Sequence, residues 1–92
     1  MSDGVRLVPP VDRLDFEEGS LLLYERRLVS LSVLGAAVAD LSATPTTVAA
    51  LAEGLREAFG DPADGSADEA TAAVVAALLA LGVLEAAPTP DP

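Results

Sequence analysis

Nearly all the side chains here that could do chemistry are carboxylates: fifteen acids stand against five bases, with no His and no Cys. Any Asp/Glu pair could be offered as an acid–base couple. None has a nucleophile, a His or a metal-ligand pattern beside it, and general acid–base or nucleophilic catalysis needs such partners. Paired acids also cap helices and solvate faces. Disulfides and Cys/His zinc sites are excluded outright. Gly35, Gly54, Gly60, Gly65 and Gly82 are isolated, so there is no phosphate-cradling loop. The chain is expected to be non-catalytic and to need no cofactor.

All five bases are arginines (Arg6, Arg13, Arg26, Arg27 and Arg56), and the net charge is −10. Nucleic acid is a poor partner for such a chain, because phosphate binding needs a basic face. The same charge repels anionic membranes. The tripeptide Asp40-Leu41-Ser42 inverts the Asp-Ser-Leu attachment motif of acidic helical carrier proteins, and its serine falls at a helix end, where that motif has it at a helix start. The densest positive charge is Arg26-Arg27. It sits inside LLLYERRLVSLS, residues 21–32, which reads as two strands joined by a tight polar turn. Val29 and Leu31 alternate with Ser30 and Ser32, the period of a half-buried strand. A last strand left open in a small sheet offers its edge to an extended peptide.

The elements that would position this edge follow in order. At 92 residues the chain is one small domain, and an aromatic fraction of 3% makes its core aliphatic and rich in Ala. Met1–Gly4 is expected to fray, Val5–Val8 to extend, and Pro9-Pro10 to stiffen the chain. VDRLDFEE reads as a first strand with Leu14 and Phe16 on its inner face, and Gly19-Ser20 supplies the first turn. Residues 21–25 form the second strand, Glu25-Arg26-Arg27 the second turn, and residues 28–32 the third strand.

Ser32 caps a helix over Val33–Leu41 with Leu34, Val38 and Leu41 on one face. After Pro45, Thr46 or Thr47 caps a second helix with the stripe Val48, Leu51, Leu55 and Phe59, ended by Gly60. DPADG, residues 61–65, is a loop. Ser66 and Glu69 then have the form of a capping box for a helix from Ala67 to about Leu81, stopped at Gly82. Its expected stripe is Val74, Ala77, Leu78 and Leu81. Val83-Leu84 is a brief extended piece. Residues 1–12 are assigned to an extended N-terminal segment, 13–85 to the domain and 86–92 to a disordered, Pro-rich tail. The N-terminus lacks a basic region followed by an apolar run, and no stretch is apolar enough to span a bilayer. The expectation is a cytoplasmic protein.

This order of parts resembles the PqqD-like domains, the precursor-peptide recognition elements of ribosomal peptide natural-product pathways. The resemblance covers about Leu14–Leu84. LLLYERRLVSLS running straight into a helix, TTVAALAEGLREAFG, and AVVAALLALGVLEA with its Gly-Val-Leu exit carry it. Two departures are Arg26-Arg27, where family members often have Gly, and Ser32, where they often have Asn. The implied fold is α+β and winged helix-turn-helix-like, a three-stranded antiparallel sheet followed by three helices.

The implied function is leader binding. The leader segment of a precursor peptide adds as an antiparallel strand along Leu28, Val29, Ser30 and Leu31. Its alternate side chains enter a groove walled by Thr71, Val75 and Leu79, and Arg26 and Arg27 pair with leader acids. A separate maturation enzyme, often a radical SAM protein, then modifies the tethered core peptide. The oligomeric expectation is a monomer or an edge-strand dimer. Two other readings remain open at this point: a winged-helix transcription regulator, which the single base of the second and third helices opposes, and a docking subunit that uses the last helix.

Overall fold

The computed structural model describes residues 3–61 and 65–88. In chain order the elements are β1 (Asp3–Leu7), β2 (Asp12–Phe16), β3 (Gly19–Tyr24), β4 (Arg27–Ser32), α1 (Val33–Leu41), α2 (Val48–Phe59), α3 (Ala67–Ala80) and β5 (Leu84–Pro88). Strands β2, β3 and β4 form a three-stranded antiparallel sheet in sequential order, and three helices follow it. The architecture is therefore α+β, as expected.

Both hairpins turn on two residues, Glu17-Glu18 and Glu25-Arg26. Gly19 lies in β3 and not at the first turn's centre; its φ of 146° is one only Gly adopts without strain. A Cβ there would overlap the Leu31 carbonyl oxygen. The position is glycine because β4 crosses close beside it.

The helix starts follow local chemistry. Ser32, Thr47 and Ser66 each accept a hydrogen bond from the backbone N–H three residues on, in Gly35, Ala50 and Glu69. Between Thr46 and Thr47, the structure makes Thr47 the cap, while the Thr46 backbone bridges Val5. Gly60 and Gly82, at φ of 81° and 74°, end α2 and α3.

The core gathers Leu22, Val29 and Leu31 from the sheet, Val38 and Ala39 from α1, Leu51 and Leu55 from α2, Val75 and Leu78 from α3, and Val83 and Leu84 beyond it. Leu41 and Phe59, expected in the helix stripes, are largely exposed. Small residues are buried in their place, Gly35 and Ala36 in α1 and Ala52 in α2.

Two expectations at the chain ends are corrected. Asp3 and Gly4, read as frayed, belong to β1, and Ala86–Pro88, read as tail, belong to β5; the two strands pair antiparallel from Asp3↔Pro88 to Leu7↔Leu84. Val5 and Ala87 are buried in this ribbon, and Arg6 pairs with Glu85 at 2.7 Å across it. Apolar burial on one side and ladder bonds along the length make a strand of a Pro-flanked segment. The remaining parts of those expectations, Met1–Ser2, Pro62–Asp64 of the loop and Thr89–Pro92 of the tail, lie outside the described residues.

Candidate functional site: the open edge of β4

Strand β4 lies at the edge of its sheet, paired with β3 on one side only. The register decides which of its backbone groups are free. The Glu25-Arg26 turn closes on the Tyr24↔Arg27 pair, and the pair closing a two-residue hairpin exchanges hydrogen bonds. Arg27, Val29 and Leu31 therefore direct their N–H and C=O groups at β3. Leu28 and Ser30 direct theirs at the open side. Neither makes a backbone hydrogen bond to a loop or to another element among the described residues.

Side chains alternate in the other dimension. Val29 and Leu31 are buried in the core, while Leu28, 62% exposed, and Ser30 lie on the outer face. Of the four strand residues expected to bind, Leu28 and Ser30 can offer backbone groups to a ligand. Val29 and Leu31 hold the strand to the protein.

The two arginines do different things. Arg27 folds back: its guanidinium lies 5.0 Å from the centroid of the Tyr24 ring and donates to the Gly82 carbonyl oxygen at 3.2 Å. The Tyr24 hydroxyl in turn donates to the Val8 carbonyl oxygen at 2.9 Å. Burial raises the phenol's pKa, against a lowering by the Arg27 charge. Arg26 stands at the turn and makes no ion pair among the described residues.

Helix α3 runs past β4 in the opposite direction. Gly82, beyond its C-terminal end, meets Arg27 at the start of the strand. Leu34, just beyond the strand's other end, shares a cavity with Ala67, Ala70 and Thr71 in the first turns of α3. The two elements do not pack closely on each other. The cavity, about 220 Å³, is completed by Leu55, Arg56, Phe59, Gly60 and Asp61 and is mostly apolar.

The groove wall expected on α3 needs correcting. Thr71 and Val75 face the core, 2% and 4% exposed, and Leu79 is 39% exposed. Thr71, Val75 and Leu78 form the buried stripe, whereas Val74 is half-buried and Leu81 exposed. Uncharged from Ala70 to Leu84, the helix presents several apolar stripes, and only packing chooses among them. Thr71 nevertheless lines the cavity. Leu34 and Ala70 also line it, where the sequence marks Leu34 only as part of the α1 stripe and does not mark Ala70. The signal available was Ala67 and Ala70, small residues one turn apart that leave room beside a helix start.

The sheet also departs from expectation at β2. Leu14 and Phe16 point outward, 57% and 58% exposed, while Arg13 and Asp15 occupy the side facing α1. There Arg13 donates to Asp40 of α1 and, at 2.7 Å, to Asp15, and the Ser20 hydroxyl donates to Asp15 at 2.6 Å. The bond from Ser20, then that from Arg13, lowers the Asp15 pKa. An alternating pattern specifies two faces without saying which is inside; here the face that carries Arg13 is the one beside Asp40 of α1.

Comparison with known protein families, with curated proteins and with solved structures finds no match. Among the described residues no helix is long and apolar enough to cross a membrane.

Proposed function

We propose that this protein is a non-catalytic peptide-binding adaptor in which an extended peptide adds as a strand to the open edge of β4. The observation that carries the reading is the register: Leu28 and Ser30 turn two N–H and two C=O groups to a side where, among the described residues, no strand follows. Backbone hydrogen bonds supply affinity in strand addition, and pockets for alternate side chains supply selectivity. The cavity beside Leu34, Ala70 and Thr71, two residues beyond the end of β4, accepts an apolar side chain of the ligand. Arg26, unpaired at the turn, meets an acidic ligand residue, and a solvent-exposed pair of this kind adds only about 0–1 kcal/mol.

The resemblance to PqqD-like domains extends this reading to a ligand class. The peptide is the leader of a ribosomally made precursor, and a separate maturation enzyme acts on the tethered core in the cytoplasm. The chain itself does no chemistry.

The test is an NMR titration of labelled protein with the N-terminal half of a precursor peptide encoded beside it. Saturable shifts concentrated in residues 28–32 and around Leu34, Ala70 and Thr71 are expected. Ser30→Pro deletes an edge-facing N–H and should abolish the shifts while preserving the dispersed spectrum. Undiminished binding by folded Ser30→Pro protein would sink strand addition.

A further inference from the structure

The outer face of the β2–β3–β4 sheet is apolar and uncovered. Three cross-strand rows lie on it: Phe16, Gly19 and Ser32; Leu14, Leu21 and Ser30; Asp12, Leu23 and Leu28. Leu14, Phe16, Leu23 and Leu28 are all exposed. Gly19, having no side chain, leaves a notch beside Phe16 that Leu21 and Ser30 also line. Beyond them, Asp12, Arg13, Leu14, Leu21, Leu23 and Leu28 surround a second shallow hollow.

This face is the reverse of what solvation alone would choose. In β2 Arg13 and Asp15 lie on the α1 side, where Arg13 donates to Asp40 of α1 and to Asp15, and the strand's two large apolar residues are turned to water. Large exposed apolar patches on small proteins mark interaction surfaces.

The rim identifies the partner. Asp12 ends one row, Glu17 and Glu18 form the turn beside Phe16, and Glu25 stands in the turn beyond Leu23 and Leu28; the bases beside them are Arg26 in the turn and Arg13, which Asp15 and Asp40 already engage. With a net charge of −10, a second copy would bring like charge to this rim. We infer that the outer sheet face docks a second protein through an apolar surface ringed by Lys and Arg, for which a basic amphipathic helix is the simplest form. The face binds through side chains, chiefly of β2 and β3, and the β4 edge through backbone groups, so the inference does not depend on peptide addition there.

The probe is a synthetic amphipathic helix with one leucine face flanked by lysines, titrated into the labelled full chain. Saturable shifts at Leu14, Phe16, Leu21 and Leu23 are expected, weakening as salt rises. Leu14→Ser with Phe16→Ser should weaken binding by about tenfold or more. Should that variant lose its dispersed spectrum, Glu17→Gln with Glu18→Gln, at exposed turn positions, tests the rim and should remove much of the salt dependence. No binding by the wild type, or equal binding of an analogue flanked by glutamates, overturns the inference. So does a concentration-dependent dimer that Leu14→Ser with Phe16→Ser abolishes, which would assign the face to self-association.

Discussion

Asp15 sits where three residues of different elements meet. Its carboxylate accepts from the Ser20 hydroxyl and from the Arg13 guanidinium, and Arg13 also reaches Asp40 on α1. These bonds favour the charged form, so the folded-state pKa lies below the usual carboxylate value. A depressed pKa contributes stability that is complete above the unfolded value, about 4, and is lost as pH falls through the folded one. Asp15→Asn should therefore lower the urea midpoint at neutral pH, and its gap from the wild type should close as the pH falls below about 4. A gap independent of pH would mean that the carboxylate's charge is irrelevant there. The acid–base couples that fifteen carboxylates suggest in the sequence resolve at this site into a structural clamp.

At the scale of elements, the β3–β4 hairpin assigns opposite roles to neighbouring residues. Val29 N–H bonds to β3 and its side chain is buried, whereas Ser30 N–H faces the open side. Proline removes a ladder bond in the first case and only an edge donor in the second. Val29→Pro is expected to cost about 3 kcal/mol or more and to unfold the sheet. Ser30→Pro should keep a cooperative transition with a modestly lower midpoint. Denaturant melts of the two variants check this, and equal losses would mean that the register deduced from the turn is wrong.

The hairpin was readable in outline because strand alternation and a polar turn are local signals. Its turns were misplaced because Glu17-Glu18 and Glu25-Arg26 contain none of the residues that usually mark two-residue turns. The helix starts were readable for the opposite reason: Ser32, Thr47 and Ser66 act on N–H groups three residues away. The wall of the site was less legible. Thr71 and Val75 sit on a helix that is apolar almost all round, and its inner stripe is chosen by neighbours distant in sequence.

Across the whole molecule, the β1–β5 ribbon joins the two ends of the described chain. Val5 N–H donates to the Thr46 carbonyl at 2.8 Å and Thr46 N–H returns the bond at 2.9 Å, while Leu7 N–H donates to the Ser42 carbonyl at 2.7 Å. Deleting residues 1–7 removes Val5 from the core, strips β5 of its partner and leaves these groups unpaired. A loss of roughly 2–4 kcal/mol is expected, read as a lower urea midpoint with unchanged far-UV helix signal at zero denaturant. An unchanged midpoint would make the ribbon an ornament of the fold.

The sequence by itself determined the order of a three-strand sheet and three helices, the helix caps, the open edge after the last hairpin, and an acidic chain without His or Cys. Those properties live in composition or in contacts a few residues apart. Only the tertiary structure decided that Leu14 and Phe16 face out, that Thr71 and Val75 face in, and that the two ends of the described chain pair. Alternation is symmetric between two faces until a partner such as Asp40 breaks the tie. The pairing of Arg6 with Glu85, separated by 79 positions, leaves no local trace.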